Sequence, residues 1–249
     1  MSNAVLFWIA PIIFIVVILS VSNLIRLTVP RDSSKEGEND SDSVLAYDLV
    51  SRSPLFSFIR WRVLQQIRKY RPTGILLDIG CGPGYLDIAI AAKYPHVKVI
   101  GIDVSREMIE LAVRNQSLSK TGQRINYREA DIEHLPLENN SVDFVVSTLS
   151  MHHLAHPDQA LREIFRVLRP SGQLFIFDLR RDMPEFLFGV IRLVQRFLAP
   201  YPIRRTNGGT GSVWSSFTPQ EMKVLLSESS FSAWKIQKSW GWYYIWGRK

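Results

Sequence analysis

Leu76-Leu77-Asp78-Ile79-Gly80-Cys81-Gly82-Pro83-Gly84-Tyr85 is the stretch on which the fold turns. A short apolar run carrying one acid reads as a buried strand, and the glycines after it let the backbone bend and approach a ligand closely. The helix-like run from 85 to 93 then begins where free amides and the helix dipole favour polar or anionic ligand groups. A second strand-like run, 98–102, leads to Asp103, 19 residues after Gly84. An acid at that position, beside such a loop, is placed to accept hydrogen bonds from both hydroxyls of a ribose. A nucleoside-bearing cofactor is therefore expected. The dinucleotide fingerprint G-x-G-x-x-G fits poorly, because the third glycine arrives one position early and Tyr85 takes the fingerprint's last site. No Gly-Lys-Ser/Thr follows, which excludes a Walker phosphate loop.

Outward from this loop, strand-like and helix-like runs alternate: a helix over 105–115, a strand at 125–128, a strand at 142–147, a helix over 157–168 ended by Arg169-Pro170-Ser171-Gly172, and a strand at 173–177. Alternation of this kind predicts βαβ units and a parallel sheet covered by helices on both faces. Before the loop, Leu45, Leu49, Phe56, Ile59, Val63, Leu64 and Ile67 fall at helical spacing broken by Pro54, which predicts two short helices. Beyond Asp178 the spacing predicts one apolar and basic helix, a glycine-rich turn at 207–211, a helix near 219–228 and two aromatic strands. Trp240, Trp242, Tyr243, Tyr244 and Trp246 are expected in an edge hairpin strand, as packing residues. No internal repeat is visible, which argues against a solenoid.

Asp78-Ile79-Gly80-Cys81-Gly82-Pro83-Gly84 resembles the first motif of the class I S-adenosylmethionine-dependent methyltransferases, and Gly101-Ile102-Asp103-Val104-Ser105-Arg106-Glu107-Met108 resembles their second. Arg128-Glu129-Ala130-Asp131 with Leu135-Pro136 is similar to the third. Val142-Asp143-Phe144-Val145-Val146-Ser147, Met151-His152-His153-Leu154 and Arg166-Val167-Leu168-Arg169-Pro170-Ser171-Gly172 complete the pattern of the ubiquinone/menaquinone-biosynthesis-like (type 11) branch. The resemblance covers about residues 74–178. It implies a doubly wound, Rossmann-like, seven-stranded and mostly parallel sheet with an antiparallel last strand, and S-adenosyl-L-methionine as cofactor. It further implies that Asp78 and the Gly80, Cys81, Gly82 and Gly84 backbone hold the methionine moiety, that Asp103 holds the ribose, and that Val104 and Met108 cover the adenine faces. Asp131 would take the adenine amino group, with Ile132 and Ser147 beside the cofactor. Each role suits its group, carboxylates as acceptors and apolar side chains against a π-face. Ser171 stands where the family usually has glycine, a turn substitution remote from the cofactor.

Methyl transfer from a sulfonium needs alignment and exclusion of water more than acid–base help. His152 and His153 follow the fourth strand, and a neutral imidazole there accepts a proton from a nucleophile. They serve equally as packing or capping residues before the helix at Pro157, and both readings stay open. Tyr47 and Tyr85 either line the site or pack between helices. No cluster of Cys, His or carboxylates has metal-ligand spacing, so no metal is indicated.

The chain has 249 residues, 30 Lys plus Arg against 23 Asp plus Glu, a single cysteine, Cys81, and 46% apolar residues. These values exclude disordered, collagen-like and disulfide-framework classes, and one cysteine favours a reducing compartment. Residues 1–25 carry no charge at all. The 22 residues of 4–25 are long enough, at ~1.5 Å per residue, to span a ~30 Å hydrocarbon core. A transmembrane anchor over 1–30 is expected. A cleaved secretory signal and a buried core helix are the alternatives, weakened by the absence of a basic leading segment and of an amphipathic stripe. Arg26 and Arg31 follow the span and nothing basic precedes it, which places the catalytic domain on the cytoplasmic side. Residues 31–43 read as an acidic flexible tether, and 44–249 as the methyltransferase domain, with a substrate-side insertion at about 180–216. Residues 1–43 hold three basic and five acidic residues of a chain whose net charge is +7, which leaves the domain at +9. Attraction to anionic headgroups is the expected consequence.

Residues 183–198 read MPEFLFGVIRLVQRFL, with Arg180, Arg181, Arg204 and Arg205 flanking. A basic, strongly apolar helix lies in a membrane interface, lines a lipid-sized pocket, or covers the sheet as a core element. The expected function is a membrane-anchored methyltransferase acting on a small or lipid-like acceptor, a quinone or isoprenoid included. Methylation of a soluble metabolite, a nicotinamide-dependent oxidoreductase and an RNA-methylating or RNA-binding protein compete with it. The glycine spacing speaks against the oxidoreductase. The lack of an aromatic-basic RNA motif speaks against the last, and no nucleic-acid partner is expected. Oligomeric state is not legible.

Overall fold

The computed structural model describes residues 25–32, 41–119 and 124–249. Helices α1 (Ser41–Ser51) and α2 (Pro54–Ile67) lead into strand β1 (Ile75–Ile79), followed by α3 (Tyr85–Lys93), β2 (Lys98–Asp103), α4 (Arg106–Ser117), β3 (Ile125–Glu129), β4 (Val142–Thr148), α5 (Pro157–Val167) and β5 (Leu168–Leu179). The C-terminal part adds α6 (Glu185–Phe197), α7 (Tyr201–Arg205), α8 (Gly208–Ser215), α9 (Pro219–Ser227), β6 (Ala233–Lys238) and β7 (Trp242–Arg248). The described strands form one seven-stranded sheet in the order β3-β2-β1-β4-β5-β7-β6, in which β1 to β5 pair parallel and β7 runs antiparallel to both its neighbours. The winding reverses at β1, which lies between β2 and β4, and ligands bind beyond the strand ends at such a switch point.

Local chemistry explains the elements. The β1 residues ILLDI are almost wholly buried, as a strand covered on both faces requires. Leu77 and Ile79 face a core built with Ala160, Leu161 and Ile164 of α5, while Leu76 faces the second core with Ile90 of α3. Pro54 does not interrupt a helix but begins one, with Ser53 capping it through Phe56 N–H. Ser105 caps α4 through Met108 N–H (3.2 Å), and Thr218 with Glu221 forms a capping box on α9. Ser171 sits at φ 67°, a left-handed conformation that glycine adopts freely and serine only under strain.

Three expectations differ. The glycines of 207–211 begin α8 instead of forming a turn, because Gln195 accepts Thr210 N–H (2.7 Å), Trp214 packs against Phe188 and Val213 is buried. Tertiary contacts override a weak local preference there. The aromatic run of β7 is an inner strand, paired on both sides, and the edge is β6. The stretch expected as a tether, 31–43, is held at both described ends. Arg31 Nε donates to Ser215 O (2.7 Å), Asp32 N–H donates to Trp214 O (3.1 Å), and residues 41–43 open α1. Apart from Ile25, the span expected over 4–25 lies outside the described residues. Among the described residues no helix is long and apolar enough to cross a membrane.

Candidate active site

The glycine loop crosses the ends of β1 and β2. Gly80 and Cys81 N–H groups donate to Ile102 O (2.8 and 3.0 Å), and Gly82 N–H donates to Asp103 Oδ2 (2.8 Å). Asp103 Oδ1 accepts Ser105 N–H (3.0 Å), so the carboxylate is aimed by two backbone donors. Burial pushes its pKa up, an effect only partly offset by those two donors and by the nearby His153 ring. Gly80 (φ 69°) and Gly84 (φ 77°) are required sterically as well as conformationally. A Cβ on Gly80 would lie 2.6 Å from Ser150 Oγ, and one on Gly84 2.8 Å from Tyr127 Cζ. Ser147 is buried behind this turn, its hydroxyl 2.6 Å from that of Ser150, which donates to Ile79 O (3.0 Å).

Asp78 is buried beneath the loop, and its Oδ1 has no hydrogen-bond partner within the protein. An orphaned carboxylate oxygen under a loop that has no room for a side chain at Gly80 or Gly84 fits a ligand that brings both a cationic donor and close backbone contact. Burial, with the nearby charge of Asp103, pushes the Asp78 carboxyl up to about 7. Asp87 of α3, equally buried, is likewise pushed well up by burial and by Asp78, and burial together with these two acids raises the Tyr127 hydroxyl. The sequence carried one signal for Asp87 that was missed: a charge on the buried face of the helix YLDIAIAAK.

The adenine side is less uniform. Val104 is 74% exposed at the end of β2, as an open platform. Met108 packs with Val44, Leu111 and Tyr47, fastening α1 onto α4. Asp131 spends Oδ1 on Glu133 N–H (2.9 Å) in a short 3-10 turn, and Ile132 is buried behind it.

The two histidines separate. His152 is 2% exposed; its Nδ1 lies 2.7 Å from Asp178 Oδ1, while its N–H donates to Asp178 Oδ2 (3.1 Å). Arg31 Nη2 donates to His152 O (3.1 Å) and Leu154 O (2.8 Å), and its guanidinium lies 4.1 Å from the centroid of Phe217. His153 is exposed, its ring 4.2 Å from that of His152. The sequence assigned neither Asp178 nor Arg31 to the site, because their pairing with the histidine loop spans 26 and 121 residues.

A small cavity, open to solvent, lies beside the glycine loop, walled by Tyr47, Phe56, Ile59 and Arg60 of α1 and α2 against Asp78, Gly80, Gly82 and Leu149. Tyr85 also lines it, donating to Asp48 Oδ1 (2.8 Å) and accepting from Arg52 Nε (2.6 Å). Both tyrosines left open by the sequence thus reach the site. The histidines do not line this cavity.

Comparison with known proteins agrees with this geometry. A family model for a methyltransferase domain matches residues 77–176. A ubiquinone/menaquinone biosynthesis C-methyltransferase of Geotalea daltonii is 31% identical over 193 residues, which cover 75% of this chain and 80% of that protein. A demethylmenaquinone methyltransferase of Lactobacillus johnsonii is 36% identical over 114 residues, 44% of this chain and 46% of that one. Among solved structures, an S-adenosylmethionine-dependent methyltransferase from Aquifex aeolicus superposes with a TM-score of 0.62 at 21% identity, covering 85% of this chain and 99% of that one.

Proposed function

Since this chain belongs to the class I S-adenosylmethionine-dependent methyltransferases, in their ubiquinone/menaquinone-biosynthesis-like branch, we propose that it methylates a quinone-type, lipid-soluble ring acceptor at a membrane. S-adenosylmethionine supplies a methyl group already activated by its sulfonium, so the residues of the chain are left to bind, orient and keep water out. Asp78 Oδ1 takes the ammonium of the methionine moiety, the Gly80–Gly84 loop admits the backbone-close part, and Asp103 accepts the ribose hydroxyls. Val104 offers its open side chain to the adenine face, with Asp131 at the adenine amino group. His152, held by Asp178, positions the loop. His153, on the same loop but outside the cavity wall, is assigned the acceptor's proton, taken by the neutral ring where the acceptor extends from the cavity towards Asp103.

The cavity carries the acceptor reading: an aromatic and apolar wall of Tyr47, Phe56, Ile59 and Leu149 stands opposite the site of the methionine moiety. The names of the two relatives support a quinone-type ring. Membrane attachment, with the catalytic domain facing the cytoplasm, is supported by the uncharged stretch 4–25 and by Arg26 and Arg31 after it. The test supplies the full-length protein in detergent with S-adenosylmethionine and a reduced naphthoquinone-type ring, with or without an isoprenoid tail. Carbon-methylated product with a higher kcat/KM for the tailed ring is expected. Equal or better turnover of the tail-less ring would move the function to a soluble metabolite.

A further inference from the structure

Helix α6 has no fully buried residue. Its inner side packs on α8, through Phe188 on Trp214 and Gln195 on Thr210. Its outer side exposes Val190, Leu193, Val194 and Phe197, an i, i+3, i+4, i+7 stripe that continues into Leu198, 77% exposed, and Tyr201 of α7. A surface stripe of a soluble helix is ordinarily polar at these positions. A second apolar area, Leu45 and Leu49 of α1 with Leu55, Phe58 and Trp61 of α2, is exposed as well, and Phe58 stacks on Trp61 (5.7 Å between centroids). Since α1 packs against α7, the two areas adjoin. Exposed apolar residues elsewhere, such as Val113, Leu118 and Val224, are scattered.

The rim of this face is basic. Residues 186–220 contain no Asp or Glu, while Arg192, Arg196, Arg204 and Arg205 are all exposed there. The Arg196 and Arg204 guanidinium groups lie 5.7 and 5.9 Å from the centroids of Phe197 and Tyr201, and Arg204 Nη1 donates to Arg196 O (3.3 Å), so both cations sit beside exposed rings of this face. Two further observations give the face a direction. Ile25, at which the uncharged sequence of 4–25 ends, accepts Glu185 N–H (3.2 Å) at the start of α6. The opposite sides of α1 and α2 supply Tyr47, Phe56 and Ile59 to the cavity.

We propose that the outward faces of α1, α2, α6 and α7 form a docking surface for an anionic phospholipid bilayer, so that the acceptor reaches the cavity along the backs of the helices that touch the leaflet. Apolar side chains enter the boundary between headgroups and acyl chains while the arginines bind phosphate. A second copy of this chain fits less well, because a two-fold contact would set one arginine rim against another. The proposal rests on the reading that the protein works at a membrane, and it adds which surface faces the lipid.

The test uses the full-length protein with single cysteine substitutions Leu193→Cys, Phe58→Cys and, as a control, Val113→Cys, each carrying an environment-sensitive fluorophore. Native Cys81 is buried and its thiol is pushed well up by burial and nearby acids, so it labels slowly. Vesicles of phosphatidylcholine and phosphatidylglycerol carry doxyl quenchers on the acyl chains. Quenching at 193 and 58, none at 113, and loss of that quenching in pure phosphatidylcholine are expected. Flotation with the vesicles but equal, absent quenching at all three sites would overturn the docking surface and leave membrane attachment standing. Failure to float would overturn membrane attachment itself. Labels at 193 and 58 already shielded without vesicles would show that another part of the chain or a second copy covers the face, which also overturns the proposal.

Discussion

Asp78 sets the pH behaviour of the site. Its folded value of about 7 lies above the ordinary 3.8, so the cofactor-free protein keeps a proton that the unfolded chain releases. The stability contributed by keeping that proton is therefore present at low pH and declines as the pH rises from about 4 towards 7. An ammonium at Oδ1 reverses the preference and expels the proton. Affinity for S-adenosylmethionine should thus be about tenfold weaker at pH 6 than at pH 8 in isothermal titration, with about one proton released per molecule bound at the lower pH. Asp78→Asn should flatten that dependence and lower affinity at pH 8 by about 10- to 100-fold, the loss of a hydrogen bond to a charged group. A pH slope unchanged in the variant would place the ammonium elsewhere. Gly84→Ala forces a Cβ against Tyr127 at a left-handed φ, and should cost roughly 1–3 kcal/mol of stability in denaturant titration together with most cofactor affinity. Ser171→Gly, at an equally left-handed position remote from the site, should instead gain about 0.5–1 kcal/mol with cofactor affinity unchanged. At this scale the sequence was legible wherever the chemistry is local. The spacing of Gly80, Gly84 and Asp103 is a property of one βαβ unit, whereas the pairing of Asp78 with Asp87 and of His152 with Asp178 exists only through space.

Among the elements, the strands and the helices α3 to α5 could be read because apolar runs and capping residues are written contiguously. Strand β7 could be recognised but not placed, since its aromatic run does not state which strands flank it. Helix α8 could not be recognised, because Gly208, Gly209 and Gly211 are poor helix formers that tertiary contacts hold in a helix. The segment of 25–32 is the least legible of the described elements. Arg31 binds three carbonyls, those of His152, Leu154 and Ser215, so this strap and the histidine loop behave as one unit. Arg31→Ala leaves those acceptors without their donor and should cost about 2 kcal/mol, seen as a Tm lower by roughly 4–8 °C. It should also lower kcat more than cofactor affinity, because the loop it holds carries His153 and not the glycine cradle. An unchanged kcat with the expected loss in Tm would make the strap purely structural. His153→Ala should reduce kcat by about 10²-fold or more while binding cofactor normally, if the ring receives the acceptor's proton.

Across the whole molecule the charge is divided rather than averaged. An uncharged N-terminal stretch, an acidic connection and a domain of net charge +9 follow one another in a chain whose total is only +7. The basic arginines and exposed apolar stripe of α6 and α7 lie on the side where that N-terminal sequence enters, and the cavity beside the glycine loop is walled by the neighbouring helices. The proposed acceptor, one that resides in a membrane, is the reading these asymmetries are to be tested against. The most direct measurement incubates the detergent-solubilised full-length protein with methyl-labelled S-adenosylmethionine and either the lipid extract or the soluble metabolites of its host, with Asp103→Ala as the blank. Label transferred to the lipid fraction by the wild-type protein and not by the variant is the result expected. Label appearing only among the aqueous metabolites would contradict it.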